Sequence, residues 1–273
     1  MSPGFPSPRV HDPRALGLML GVAADALLGD PARHHPAAWF GSWATFVERR
    51  LYAEGTSHGA LFTVVTLAPL VVLGVAAEQV ARSRPLAGTG LTALATWAVV
   101  GSRSLAREGD AMAEALASGD LDAARARLPH LCGRDPSALD TAELGRATVE
   151  SLAENTADSA VASLFWGAIL GVPGLLLHRG ANTLDAMVGH RTPRYRRFGT
   201  ASAKLDDALD LVPARITGAL ACALAPLVGG SARKAWRTML RDARDHPSPN
   251  GGWCEAAWAG ALGVRLGGVN TYG

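Results

Sequence analysis

Four asparagines occur in the 273-residue chain, and three of them precede threonine: Asn155-Thr156, Asn182-Thr183 and Asn270-Thr271. The first two extend to a shared pattern, Asn155-Thr156-Ala157-Asp158 and Asn182-Thr183-Leu184-Asp185, at the two edges of an apolar segment. On a helix Glu154 and Asp158 share a face, and the Asn155/Asp158 and Asn182/Asp185 pairs are each three apart. Carboxylates and amide oxygens at these spacings suit a hard cation such as Mg²⁺, which takes oxygen ligands and bridges substrate phosphates. The same residue types ahead of an apolar run also suit helix N-caps, so the tetrads alone leave both readings open.

Only two of the 26 basic residues are lysines. Lys204 stands directly before Leu205-Asp206-Asp207, with Asp210 one turn on. Upstream, Arg191, Arg194, Arg196 and Arg197 surround Tyr195. A basic loop followed by paired aspartates can grip a nucleotide phosphate and its metal. It equally describes a solvated loop beside a membrane. Arg215 lies in an apolar run after Pro213, where a charge is costly and therefore a functional candidate. Near the start, Asp30-Pro31 and His35-Pro36 punctuate a loop; His34 and His35 have no partner at short metal-ligand spacing. The chain has no Walker A loop, dinucleotide glycine fingerprint or zinc-protease helix motif.

The elements that must position these groups are helical. Alternating strand patterns are scarce and alanine-leucine runs dominate. The chain is 48% hydrophobic and 18% charged, against roughly 25% charged in ordinary soluble domains. This points to a membrane protein or to unusually buried helices. A net charge of +2 with no basic helix interleaved with aromatics gives no footing for nucleic acid. Cys132, Cys222 and Cys254 lack metal or redox spacing and read as small buried hydrophobes.

The expected fold class is an all-α, polytopic membrane helical bundle with an amphipathic helical lobe and broken or re-entrant helices. Residues 1–13 are expected to be disordered, and residues 14–273 to form one membrane-embedded catalytic domain with a polar lobe at 102–150. Apolar runs cover Leu16–Leu28, Ala60–Ala77, Leu86–Val100, Ser159–Leu177 and Leu211–Gly230. A span needs about 20 residues, which favours Ala60–Ala77 and Ser159–Leu177. Gly171-Val172-Pro173-Gly174 interrupts the latter. A straight 20-residue helix of about 30 Å would hold Asp158 and Asn182 far apart; a break at Pro173 would fold the segment into a hairpin and bring them to one face.

Taken together, several stretches resemble the CobD/CbiB family of cobalamin biosynthesis, the adenosylcobinamide-phosphate synthases. They are Leu28-Gly29-Asp30-Pro31 with His35-Pro36, Glu150 to Asp158, Leu164-Phe165-Trp166 and Asn182 to Gly189. Arg194-Tyr195, Phe198-Gly199, Ala203 to Asp207, Pro213-Ala214-Arg215, Asn250 to Glu255 and Gly268 to Gly273 also match. The resemblance implies a multi-pass enzyme of the cytoplasmic membrane. It would ligate adenosylcobyric acid to an amino-alcohol phosphate, typically (R)-1-aminopropan-2-yl phosphate, using ATP and Mg²⁺. Membrane lipid and partner enzymes of the late corrinoid pathway are further expected partners. On that reading Glu154, Asp158, Asp185, Asp206 and Asp207 are candidate Mg²⁺ ligands, with Glu154, Asp158, Asp185 and Asp207 also candidate catalytic groups. Lys204, Arg194 and Arg215 would hold phosphates, and Asn155 and Asn182 would orient a carboxylate or amide oxygen. The general base would be one of these carboxylates or His35. The family commonly has Lys or Arg at the position of Lys204. Its members run on past a Tyr-Gly-Gly-like segment into a last apolar stretch, so a truncated final helix is expected here. Two other classes compete: a Mg²⁺-dependent membrane prenyltransferase or alcohol phosphotransferase, and a non-enzymatic transporter or assembly protein.

Overall fold

Asp12 opens the first helix by accepting the Arg14 N–H, with Pro13 at the first helical position, where its missing N–H costs nothing. The computed structural model describes residues 12–30 and 36–268. The expected disorder of residues 1–11 and the site role of His35 fall outside these residues, whereas Asp12 and Pro13 are ordered as a helix start.

The described residues form helices and no strand. They are α1 (Pro13–Leu28), α2 (Pro36–Leu51), α3 (Thr56–Ser83), α4 (Pro85–Val99), α5 (Ser102–Ser118), α6 (Leu121–Arg127), α7 (Thr141–Thr156), α8 (Ala162–Leu170), α9 (Val172–Val188), α10 (Tyr195–Phe198), α11 (Thr200–Leu224), α12 (Ala232–Asp242) and α13 (Gly251–Leu262). Two helices among them are long and apolar enough to cross a membrane: α3, and α11 with its following 3₁₀ turn, Thr200–Val228. The run Ser159–Leu177 is not a straight span. It divides into α8 and α9, because Gly171 adopts φ 71, ψ −148 and ends α8. The runs Leu16–Leu28 and Leu86–Val100 are the shorter helices α1 and α4, packed on each other.

That α1–α4 pairing rests on small residues. A Cβ at Gly17 would lie 2.6 Å from Thr92 Cβ, and one at Gly21 would collide with Thr96. Glycines four apart let two apolar helices approach closely. Gly21→Leu is expected to unseat α1 at a cost of about 1–3 kcal/mol, read as a lowered thermal midpoint. Gly90→Ala, where a Cβ meets nothing within 4 Å, should be neutral or stabilising. Equal midpoints for the two variants would refute this packing account.

The polar segment is built on local signals. Gly119 closes α5 in the left-handed conformation, and Asp120 caps α6 by accepting the Ala123 N–H. A capping box of Asp140 and Glu143 starts α7. Met112, Ala124, Leu128 and Leu144, all fully buried, join α5, α6 and α7 into one core. α7 then runs from this lobe into the apolar body and carries Glu154 there.

Candidate functional site

One turn of π-helix, Ala157–Val161, separates α7 from α8. Such widened turns recur where helices serve a site, and Asp158 sits on this one. After Gly171, α9 runs back along α8. Ser163 meets His178, a Cβ at Gly167 would press on Leu175, and one at Gly174 would press on the Trp166 carbonyl. Continuing that antiparallel register puts Asn182 opposite Asp158, and Asn182 Nδ2 donates to Asp158 Oδ2 at 3.3 Å. The two tetrads therefore meet. Trp166 Nε1 donates to the Leu209 carbonyl at 2.9 Å and fixes α11 alongside.

α11 brings Asp206, Asp207 and Asp210 to the same place. Burial pushes the Asp158 carboxyl well up, and the charges of Asp210, Glu154 and Asp185 add to it, while the Asn182 amide opposes. Asp185 is raised by burial and then by Asp207 and Asp210. These neighbourhoods link Asp158, Asp185, Asp207 and Asp210 into one group. His178 is fully buried between Ser163 Oγ (2.9 Å from Nδ1) and Asp210 Oδ1 (2.9 Å from Nε2). The ring bridges the two groups, one nitrogen to each. Both ring nitrogens are thus occupied, and His178 positions Asp210 instead of ligating.

Asp206 and Asp210 bring carboxylate oxygens within 4.8 Å of each other, beside the His178 ring, and Asp206 Oδ1 is buried without a hydrogen-bond partner. A buried, unsatisfied carboxylate oxygen among like charges is costly, and a hard divalent cation would satisfy it. The oxygen donor set fits Mg²⁺. Arg179, on α9, provides the nearby positive charge, facing both Asp30 and Asp158.

Glu154 belongs to a second, adjoining group. Its carboxylate packs against Gly251 at the start of α13, with Glu255 and His246 close enough for all three to share one ion. The Ser248 N–H donates to His246 Nδ1 at 3.1 Å. His246 Nε2 lies 3.5 Å from Glu255 Oε1. Burial, then the Glu255 charge, pushes Glu154 up to about 7, with His246 opposing. Burial, then Glu150, pushes Glu255 up to about 7, with Arg134 and Arg146 opposing. In the unfolded chain both return toward 4.5. The folded protein therefore holds protons that the unfolded chain releases between these values. The stability contributed is full below about pH 4.5 and is lost as pH rises through about 7. The thermal midpoint should accordingly fall between pH 5 and pH 8, and Glu255→Gln should flatten that slope. Superimposable profiles for the two proteins would contradict the assignment.

The other sequence candidates take different places. Asn155 is used structurally, donating to the Leu131 carbonyl (3.2 Å) and to Ser151 Oγ (2.9 Å). Arg194 donates to Glu48 Oε1 at 3.0 Å and lies over the Tyr52 ring. Arg215 stacks on Trp253 and reaches Asn250 Oδ1 at 3.4 Å. It thereby ties the loop before α13 to α11, where Asn250 also donates to the Asp207 carbonyl at 2.8 Å. Lys204 is exposed on α11. Sequence reasoning passed over His178, Arg179, His246 and Glu255. The signal for Glu255 was present, since it is the one charged residue in α13, and His178-Arg179 are the one adjacent polar pair in the apolar first half of α9.

Glu154, Asp158, Glu255 and His246 line a cleft of about 1510 Å³, larger than the roughly 300–1,000 Å³ of ordinary small-molecule sites. No solved structure matches the chain. Among curated relatives, a cobalamin biosynthesis protein CobD of Mycobacterium tuberculosis is 49% identical over 260 residues, covering 95% of this chain and 82% of the relative. Proteins of the same name from Geobacter metallireducens and Rhodobacter capsulatus are 44% and 39% identical, each covering 93% of this chain and 82% of the relative. The profile described as CobD/Cbib protein matches residues 18–273, and the chain belongs to this CobD/Cbib family.

Proposed function

We propose that this chain acts in cobalamin biosynthesis as an adenosylcobinamide-phosphate synthase. It would join a carboxylate of adenosylcobyric acid to (R)-1-aminopropan-2-yl phosphate, or a related amino-alcohol phosphate, at the expense of ATP. The observation that carries the reading is the meeting of both Asn-Asp tetrads with the α11 aspartates, beside a cleft of corrinoid-accommodating size.

A carboxylate does not condense with an amine until it is activated. Its oxygen attacks the γ-phosphorus of ATP, the bond to ADP breaks, and an acyl phosphate forms. The amine nitrogen then attacks the acyl carbon, inorganic phosphate leaves, and the ammonium proton passes to a base. The protein's part is positioning and charge neutralisation. Asp158, Asp185, Asp206 and Asp207 would hold Mg²⁺, which when bound neutralises the phosphate oxygens of ATP. Asp210, steered by His178, completes their wall, and Asn182 orients Asp158. Arg179 adds positive charge beside Asp158. Glu154, paired with Glu255 on the adjoining wall, is placed to accept the amine proton.

The reading includes a multi-pass location in the cell membrane. Its support is the exposure of Met19, Val64, Val72, Leu73 and Leu94 on α1, α3 and α4, more apolar surface than an aqueous protein ordinarily presents. Membranes bearing the protein, given ATP, adenosylcobyric acid and aminopropanol phosphate, should form the amide together with ADP and phosphate. Product should vanish when any one substrate is omitted. Amide formation without ATP, prenyl diphosphate consumption, or corrinoid accumulation without chemistry would each overturn the proposal.

A further inference from the structure

Phosphate-bearing substrates need cations, and Arg194, Arg215 and Lys204 are spent elsewhere or exposed away from the cleft lining. α12 offers others. Ser231 caps this helix, and Ala235 and Met239, both buried, seat it against α11 and α13. Its cationic side, Arg233, Lys234, Arg237 and Arg241, lines the same cleft as Glu154 and Glu255. Two of the four are already engaged. Lys234 Nζ lies by Gly263 at the C-terminal end of α13, where helix carbonyls attract a cation, and Arg241 is held by Asp242 at 2.7 Å. Arg233 and Arg237, four apart and therefore on one face, are exposed and make no ion pair among the described residues.

We infer that Arg233 and Arg237 of α12 form a polyphosphate-binding wall of the cleft that Glu154 and Glu255 also line. Guanidinium groups bind phosphate oxygens in bidentate fashion, and a rigid, core-backed helix spares them part of the ordering cost of binding. A chain of phosphates seated there shares the cleft with Asp158, one of the carboxylates that would hold its metal. The inference rests on the synthase reading for the identity of the polyphosphate as ATP, but its test needs no turnover. The neighbouring face of α12 exposes Trp236 and Leu240, so anionic lipid headgroups share the relevant chemistry and form the second arm of the test.

The protein, reconstituted in phosphatidylcholine nanodiscs, is titrated with inorganic tripolyphosphate by calorimetry. Wild type should bind, and added NaCl should weaken the binding. Arg233→Glu combined with Arg237→Glu should weaken it at least tenfold. The milder Arg233→Gln and Arg237→Gln should each give a smaller loss, Arg237→Lys should retain most of the affinity, and Arg82→Glu on α3 should change nothing. Unchanged affinity in the glutamine variants, or no binding by wild type, overturns the inference. So does loss of tripolyphosphate binding when phosphatidylglycerol is included in the nanodisc, which would assign the face to lipid. Tripolyphosphate binding that follows this pattern in a protein that forms no amide would overturn the synthase reading alone.

Discussion

Asp158→Asn is expected to lower amide synthesis by about 10²–10³-fold, the scale for losing one preorganised charge contact in an active site, while the protein becomes more stable in divalent-free buffer. The two effects have opposite signs for one physical reason. Asp158 is buried, and Asp210, Glu154 and Asp185 further disfavour its charged form, whereas an amide of the same shape carries no charge to bury. Relief of such functional strain typically stabilises by about 0.5–2 kcal/mol. Turnover and thermal midpoint measured on the same preparation check both signs. Asp207→Asn, half-buried on α11, should lower synthesis on the same scale with normal membrane insertion. Near-normal turnover in both variants would remove the aspartate group from the mechanism.

Gly171→Ala should be the most damaging small substitution outside the acidic group. At φ 71, ψ −148 the backbone occupies a region that residues with a Cβ adopt only at a cost of about 1–3 kcal/mol. The added methyl would also strike the Glu78 carboxylate, which pairs with Arg14 at 2.6 Å. Because the α8–α9 reversal sets the register that places Asn182 opposite Asp158, a shifted turn should cost activity as well as stability. A fall in thermal midpoint of several degrees, together with reduced turnover, is the expected result. Gly41→Ala, at a helical position with open space, is the control that should leave both unchanged. Matching midpoints for the two variants would show that the turn does not depend on glycine.

Features encoded over a few residues were legible in the sequence. The helical class followed from periodicity and the absence of alternation. The turn between α5 and α6 rests on equally local properties, the left-handed tolerance of Gly119 and the capping capacity of Asp120. The interruption at Gly171-Val172-Pro173-Gly174, and with it the meeting of Asn182 and Asp158, followed from the same local chemistry. Hydropathy alone misled at Ser159–Leu177, because a composition window averages over a positive-φ residue that reverses the chain.

Tertiary packing decided the rest. Whether Arg194 faces a substrate or Glu48, and whether Arg215 faces a phosphate or Trp253, depends on partners 146 and 38 positions away in the chain, which no spacing rule reaches. The π turn that carries Asp158 has no residue signature, since it arises where two helix registers must both be satisfied. Glu255 and His246 became neighbours of Glu154 only because α13 starts on glycines that let a carboxylate lie against the backbone. The sequence by itself determined that acids and amides would gather on helices, since side-chain chemistry and helical period are local properties. Which cations face them was set by long-range packing, since charges find their partners through space.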